Sequence, residues 1–133
     1  MSSILSVVAG AVSMDGKYLL CRRPSYKARG GLWEFPGGKL EAGESEQQAL
    51  ERELCEELGI EVRAGKALAA VDYAYPDLRI RLTILSAHII TGEPKLLEHD
   101  EFRWMTPVEA LSLDLCPADR CLLEKIMEGQ NDI

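Results

Sequence analysis

The amino-acid sequence predicts an α+β fold, a mixed β-sheet sandwiched between α-helices. Two observations predict it. Short stretches such as residues 3–14 alternate apolar with small or polar residues, the period of a strand. Between them, Leu50, Leu54 and Leu58 repeat at the period of a helix, behind a cap signal at Ser45. No repeat or linker divides the 133 residues, so one domain covering 1–133 is expected.

In chain order, residues 3–14 read as a strand and Asp15-Gly16 as a turn. Residues 17–22 continue as a second strand. A loop rich in Pro, Ser and Gly covers 24–31, and a short strand follows at 32–35. Pro36-Gly37-Gly38 reads as a turn. Ser45 with Gln48 three residues on is a capping box, so a helix should run from there to about Leu58, stopped by Gly59. Residues 61–74 and 79–90 read as strands around a Tyr75-Pro76-Asp77 turn, and 102–105 as a short strand. Thr106-Pro107-Val108-Glu109 opens a helix, with Pro at the first helical position. Residues 116–128 read as a last helix closed by Gly129.

Composition excludes several classes of function. With 47% apolar and 28% charged residues the chain is globular. A net charge of -7 argues against a nucleic acid polymer as partner, which needs a basic face. A small anionic substrate is compatible if metal ions bridge the charge. No apolar run is long enough to span a membrane, and the N-terminal stretch lacks the basic start of a signal peptide. Cys21, Cys55, Cys116 and Cys121 show no CxxC spacing, so reduced, buried thiols and a cytoplasmic location are expected rather than zinc.

The acids of the first helix pose the functional question. Positions three and four apart share a helix face, so Glu53, Glu56 and Glu57 sit together beside the leucine stripe. Like charges at that spacing destabilise a helix by roughly 0.2–0.5 kcal/mol per pair. A hard divalent cation would offset this, because Mg²⁺ takes oxygen ligands between carboxylates and phosphates. Taken alone, the three acids read sooner as a solvated face.

The flanking pattern decides between the two. Gly38, five residues, Glu44, seven residues, then Arg52-Glu53-Leu54-Cys55-Glu56-Glu57-Leu58-Gly59-Ile60 matches the Nudix box at every defined position. Seven fixed residues and two apolar ones coincide by chance at roughly one start in a billion. The chain resembles the Nudix hydrolases, and more narrowly their MutT branch. "LWEFPGGK", the box, "YPD", "GEP", the Trp104 strand and "PAD" all have counterparts there, so the resemblance covers nearly the whole chain.

That resemblance implies attack of water on a nucleoside triphosphate, giving the monophosphate and pyrophosphate. It implies Mg²⁺, with Mn²⁺ as a substitute, held by Glu53, Glu56, Glu57 and Glu98 with the carbonyl of Gly37 or Gly38. Bare glycine backbone can approach a metal and phosphates where a Cβ would obstruct. Glu44 and Arg52 would support the site, Arg52 as an ion-pair partner of the glutamates. Glu53 and Glu98 are both candidates for the general base. His99 beside Glu98 reads as exposed. Arg23 matches a phosphate-contacting arginine of MutT-type enzymes, and Lys39 beside the glycines is a second phosphate candidate.

Phe35, Tyr75 and Leu82 are the candidates to wall a base pocket. Asp119 falls where MutT enzymes carry an asparagine that reads 8-oxoguanine, and "PAD" there also resembles CTP pyrophosphohydrolases. An ionised aspartate only accepts hydrogen bonds, whereas asparagine also donates. Arg79 and Arg81 are further donors on one strand face. The favoured substrate is 8-oxo-dGTP, with CTP, dCTP or a 5-substituted dCTP as the alternative. A catalytically dead module that binds a nucleotide is the rival from another class. The expected assembly is a monomer or weak homodimer.

Overall fold

The computed structural model describes residues 3–131, with the backbone alone for Gln130 and Asn131; the ends of the expected domain, 1 and 133, lie outside the described residues. Among the described residues, seven strands and three helices follow the order β1 (Ile4–Met14), β2 (Lys17–Arg22), β3 (Trp33–Glu34), β4 (Gly37–Lys39), α1 (Glu46–Leu58), β5 (Glu61–Ala74), β6 (Arg79–Thr91), β7 (Glu101–Met105), α2 (Pro107–Ala110) and α3 (Pro117–Asn131). The sheet runs β3-β2-β1-β6-β5, with β4 added to β1 and β7 to β2. It is mixed: β1 is parallel to β6 and antiparallel to β2 and β4.

Period-two alternation assigns each strand residue to one of two cores. Val8 and Val12 of β1, with Leu85 and Ala87 of β6, pack against α1. Ala9 and Ala11, with Leu82 and Ile84, face the other way onto Leu122, Leu123 and Ile126 of α3. Leu50, Leu54 and Leu58 of α1 are fully buried. Each contributes about 1.5–3 kcal/mol, which far exceeds the repulsion among the helix's acids. Packing therefore decides that α1 forms, and the acids are carried by it.

The caps are as the sequence predicts. Ser45 Oγ accepts from the Gln48 N–H at 3.1 Å, and Gln48 Oε1 accepts from the Ser45 N–H at 2.9 Å. Gly59 ends α1 in the left-handed region at φ 66°. Thr106 and Glu109 form a second box.

Several expectations are corrected. Gly129 does not close α3, which runs through it to Asn131. The Pro-Gly-Gly segment is not a plain turn, because Gly37–Lys39 is a strand paired with Val7–Ala9 of β1. The strand expected at 32–35 is confined to Trp33–Glu34. The thiols are not all buried: Cys55 is exposed and Cys121 half-buried. No helix among the described residues is long and apolar enough to cross a membrane.

Candidate active site

A cavity of about 410 Å³ opens where β4, α1 and the loop before β7 meet the loop before β3 and the β5–β6 turn. Its volume suits a ligand of nucleotide size. Two groups of lining residues differ in character. Gly37, Gly38, Glu53, Glu57 and Glu98 form an acidic end. Phe35, Leu78, Ile80, Leu82 and Tyr75 form an apolar end in which Asp119 is the acid. Glu34 lies between them, beside both Glu57 and Asp119.

The acidic end follows from how β4 docks on β1. Pairing of Gly38 with Val8 carries the glycine backbone against α1. A Cβ on Gly38 would overlap the Glu53 carboxylate, and one on Gly37 would overlap the Val8 backbone. Both glycines are thus required by close approach, one by a functional side chain and the other by the sheet.

Arg52 organises the helix side. Its Nε donates to Glu44 Oε2 at 2.7 Å and Nη2 to Glu44 Oε1 at 2.9 Å, a two-pronged pair. Nη2 also donates to the Lys39 carbonyl at 3.1 Å, and Nη1 to Glu53 Oε1 at 2.9 Å and Glu56 Oε2 at 3.4 Å. These bonds tie the loop before α1, the end of β4 and two box glutamates to one guanidinium.

Glu57 differs from its neighbours. It is 7% exposed, and its Oε1 is buried with no hydrogen-bond partner. Burial first, then the charge of Glu34, a hydrogen bond shared with Glu53 and the charges of Glu53 and Glu98, push its carboxyl up to about 10. A buried carboxylate left without a partner is costly, and a cation is the group that removes the cost. Among the described residues no three His, Cys, Asp or Glu side chains already surround one point as a finished cage. The donor chemistry nevertheless fits a hard divalent ion: all-oxygen donors, an orphaned buried oxygen, mutually repelling acids and a backbone without a Cβ.

The chain matches the NUDIX domain family over residues 7–125. It belongs to the Nudix hydrolases. It is 43% identical over 124 residues to the CTP pyrophosphohydrolase of Escherichia coli (strain K12), covering 93% of this chain and 92% of that one. It is 40% identical over 118 residues to a putative 8-oxo-dGTP diphosphatase 2 of Mycobacterium tuberculosis, covering 86% and 82%. The crystal structure of a MutT NUDIX hydrolase from Burkholderia pseudomallei superposes with a TM-score of 0.83 at 30% identity, covering 94% of this chain and 99% of that one. The expected fold class, the family and its MutT branch are those found, and hydrolases of this family act with divalent metal ions on small nucleotide substrates.

In this Nudix hydrolase the residues singled out from sequence fall into three positions. Glu53, Glu57, Glu98, Gly37, Gly38, Lys39, Arg23, Phe35, Tyr75, Leu82 and Asp119 all line the cavity. Glu44 and Arg52 stand behind its acidic end. Glu56, with 56% of its side chain exposed, turns onto Arg52 and does not line the cavity. Arg81 pairs with Asp72 at 2.8 Å on the exposed face of β5 and β6, so it is not a pocket donor, and Arg79 does not line the cavity either.

Several side chains differ from expectation. His99 is buried, not exposed, with Nε2 3.0 Å from Glu34 Oε2. Arg23 is occupied: Nη1 donates to Glu34 Oε1 at 2.9 Å and Nε to the Ala28 carbonyl at 2.8 Å. Tyr75 lines the cavity with one ring face already covered. Arg29 covers its ring at 4.1 Å, Tyr73 packs against it, and its hydroxyl accepts from the Ala118 N–H at 3.1 Å. Phe35 is core and cavity wall at once, buried edge-on against Tyr18. Asp119 is not an ordinary exposed acid. Its Oδ2 accepts from the Phe35 N–H at 3.0 Å, and burial followed by the Glu34 charge pushes its carboxyl well above the usual range.

Glu34 was missed in the sequence. A signal existed: it is the one charged residue between Trp33 and Phe35, both core aromatics, so its side chain faces opposite to theirs.

Proposed function

We propose that this Nudix hydrolase is a Mg²⁺-dependent nucleoside triphosphate pyrophosphohydrolase, with Mn²⁺ able to substitute, that removes oxidised nucleotides such as 8-oxo-dGTP from the cytoplasmic pool. The carrying observation is the single cavity in which an acidic, glycine-backed end and an apolar end closed by Asp119 are continuous. A triphosphate suits the first and a base the second. Glu53, Glu57 and Glu98 would hold the metal with backbone of Gly37 or Gly38, and Glu56 would join them by leaving Arg52. Bound there, Mg²⁺ would neutralise phosphate charge and polarise the phosphorus centre. Lys39 lies at the rim as a phosphate cation, and Arg23 steadies Glu34 beside the reacting end. Glu53 or Glu98 orients water and takes its proton. Arg52 fixes Glu53 for that role.

The Asp119 carboxyl, raised by burial, suits an oxidised purine when it is protonated. A protonated carboxyl both donates and accepts, as an amide does. Against 8-oxoguanine it can accept from the N7 hydrogen and donate to O6. Against unmodified guanine N7 is an acceptor, and the match fails. The second reading, CTP or 5-methyl-dCTP, is favoured by the 43% identity to a CTP pyrophosphohydrolase. There Asp119 would donate to N3 and accept from the N4 amine.

The test is kcat/KM for 8-oxo-dGTP and 5-methyl-dCTP side by side with Mg²⁺, following pyrophosphate release, in the parent and in Glu53→Gln. A preference for the oxidised purine of at least about tenfold, near 1.4 kcal/mol, supports the first reading. The reverse preference selects the second. Glu53→Gln should lose at least about a hundredfold in kcat while still binding nucleotide. Near-parental turnover in that variant sinks the assignment of the site.

A further inference from the structure

Arg29 stands in the loop between β2 and β3 and lines the cavity. Its guanidinium carbon lies 4.1 Å from the centre of the Tyr75 ring, and its Nη1 donates to Asp77 Oδ1 at 3.0 Å. Both partners belong to the β5–β6 turn, so the side chain ties that turn to the β2–β3 loop. The loop is itself well held. The Gly31 N–H donates to the Arg23 carbonyl at 2.9 Å and the Lys27 N–H to the Pro24 carbonyl at 3.1 Å.

Arg29 holds a backbone φ of 59°. A side chain with a Cβ is disfavoured in that region, where glycine sits freely. Strain of this kind, kept at a cavity wall, points to a use for the side chain. A guanidinium carries five N–H donors in a rigid plane. Among the described residues Asp77 is the only acceptor the Arg29 side chain meets, so donors are left over at the apolar end. Of the other walls there, Phe35, Leu78, Ile80 and Leu82 offer no side-chain donor, so Arg29 joins the Asp119 carboxyl as a polar group at that end.

We propose that Arg29, stacked on Tyr75 and braced by Asp77 at the cavity wall, is a specificity-determining residue that donates to a carbonyl oxygen of the substrate base. The proposal rests on the reading of the apolar end as the base pocket. Its chemistry selects bases with a ring carbonyl, which cytosine and 8-oxoguanine both carry and adenine lacks. Tyr75 and Asp77 act through Arg29, by holding its plane.

Two variants test it. Arg29→Gly removes the side chain and suits the φ of 59°, so folding is spared. Arg29→Lys keeps the charge without the planar fork. With Mg²⁺, kcat and KM are measured for dATP and for whichever of 8-oxo-dGTP and CTP the parent prefers. Both variants should raise KM for the carbonyl base about tenfold with kcat held within about twofold, and leave KM for dATP unchanged. An unchanged KM for the carbonyl base overturns the proposal. So does an equal rise for dATP, or recovery by lysine, since attraction of the triphosphate by charge would then explain the effect. A parent enzyme that hydrolyses no nucleoside triphosphate overturns the proposed function, and this proposal with it.

Discussion

The carboxyl of Asp119, in the first turn of α3, accepts a hydrogen bond from the backbone N–H of Phe35 at 3.0 Å. The bond ties the last helix to the segment between β3 and β4, and it sets the chemistry of the cavity's apolar end. Burial and Glu34 raise the carboxyl above its ordinary range, so folding favours the neutral form more than in a free aspartate. Asp119→Ala would leave the buried Phe35 N–H without an acceptor, at a cost of about 1–3 kcal/mol. Asp119→Asn keeps the acceptor and the neutral donor-acceptor pair. It should fold within about 1 kcal/mol of the parent and still turn over substrate at neutral pH. The parent should lose kcat/KM as pH rises through the raised value, whereas the asparagine variant should stay flat on that side. An alkaline limb identical in the two enzymes would show that Asp119 is ionised at work.

Gly37 and Gly38 adjoin in sequence but should fail differently. A Cβ at Gly37 meets sheet backbone, which cannot give way, so Gly37→Ala should lower the melting temperature sharply. A Cβ at Gly38 meets the end of the Glu53 side chain, which can move. Gly38→Ala should therefore fold nearly as well as the parent and lose about a hundredfold in kcat through a displaced Glu53. Circular dichroism melts and turnover of the two variants separate the effects, and a Gly38→Ala enzyme of full activity would remove Glu53 from the reacting end.

How much of this was legible in the chain depends on how local each signal is. The Ser45 box, the Gly59 stop and the Leu50-Leu54-Leu58 stripe lie within single elements, and each forms as expected. The strand at Gly37–Lys39 was not legible, because its glycines have no strand preference and its partner β1 is far away in sequence. Burial of Glu57 could have been read. It lies three residues after Leu54 and seven after Leu50, on the oily stripe itself. Buried His99 pairs with half-buried Glu34 across the fold, which no local pattern announces. Gly129 has no positive φ and nothing to end, so composition alone misplaced the close of α3.

Arg52 should matter to rate more than to stability. Its pair with Glu44 is only part-buried, so solvent still screens it and its share of folding stability is modest. Its bonds to Glu44, Glu53 and the Lys39 carbonyl instead fix a box glutamate against β4. Arg52→Lys keeps the charge and loses the two-pronged contact. We expect roughly a 10–100-fold fall in kcat, as for other groups that orient ligand side chains, with a melting temperature close to the parent's. A fall in melting temperature with undiminished kcat would make Arg52 a purely structural residue.

The acidic end predicts an unusual dependence of stability on pH. Glu57 is pushed up to about 10 in the folded chain, against 4.5 for an ordinary glutamate. Between those values the folded state holds a proton that the unfolded chain releases. The contribution of Glu57 is therefore fully present below the lower value and is lost as pH rises through the upper one. Without divalent metal, the melting temperature should fall from mildly acidic to alkaline pH. Asp119 acts in the same direction, so the share of Glu57 needs its own variant. Glu57→Gln should flatten the curve and raise the metal-free melting temperature at alkaline pH, although it damages the site. Added Mg²⁺ should stabilise the parent increasingly as pH rises, because the ion needs the charged carboxylate, and should do so far less in the variant. Calorimetry at several pH values, with chelator and with Mg²⁺, measures all of this. A metal-free parent whose stability climbs with pH, or a Glu57→Gln enzyme that gains as much from Mg²⁺, would contradict the placement of a buried, metal-seeking carboxylate at Glu57.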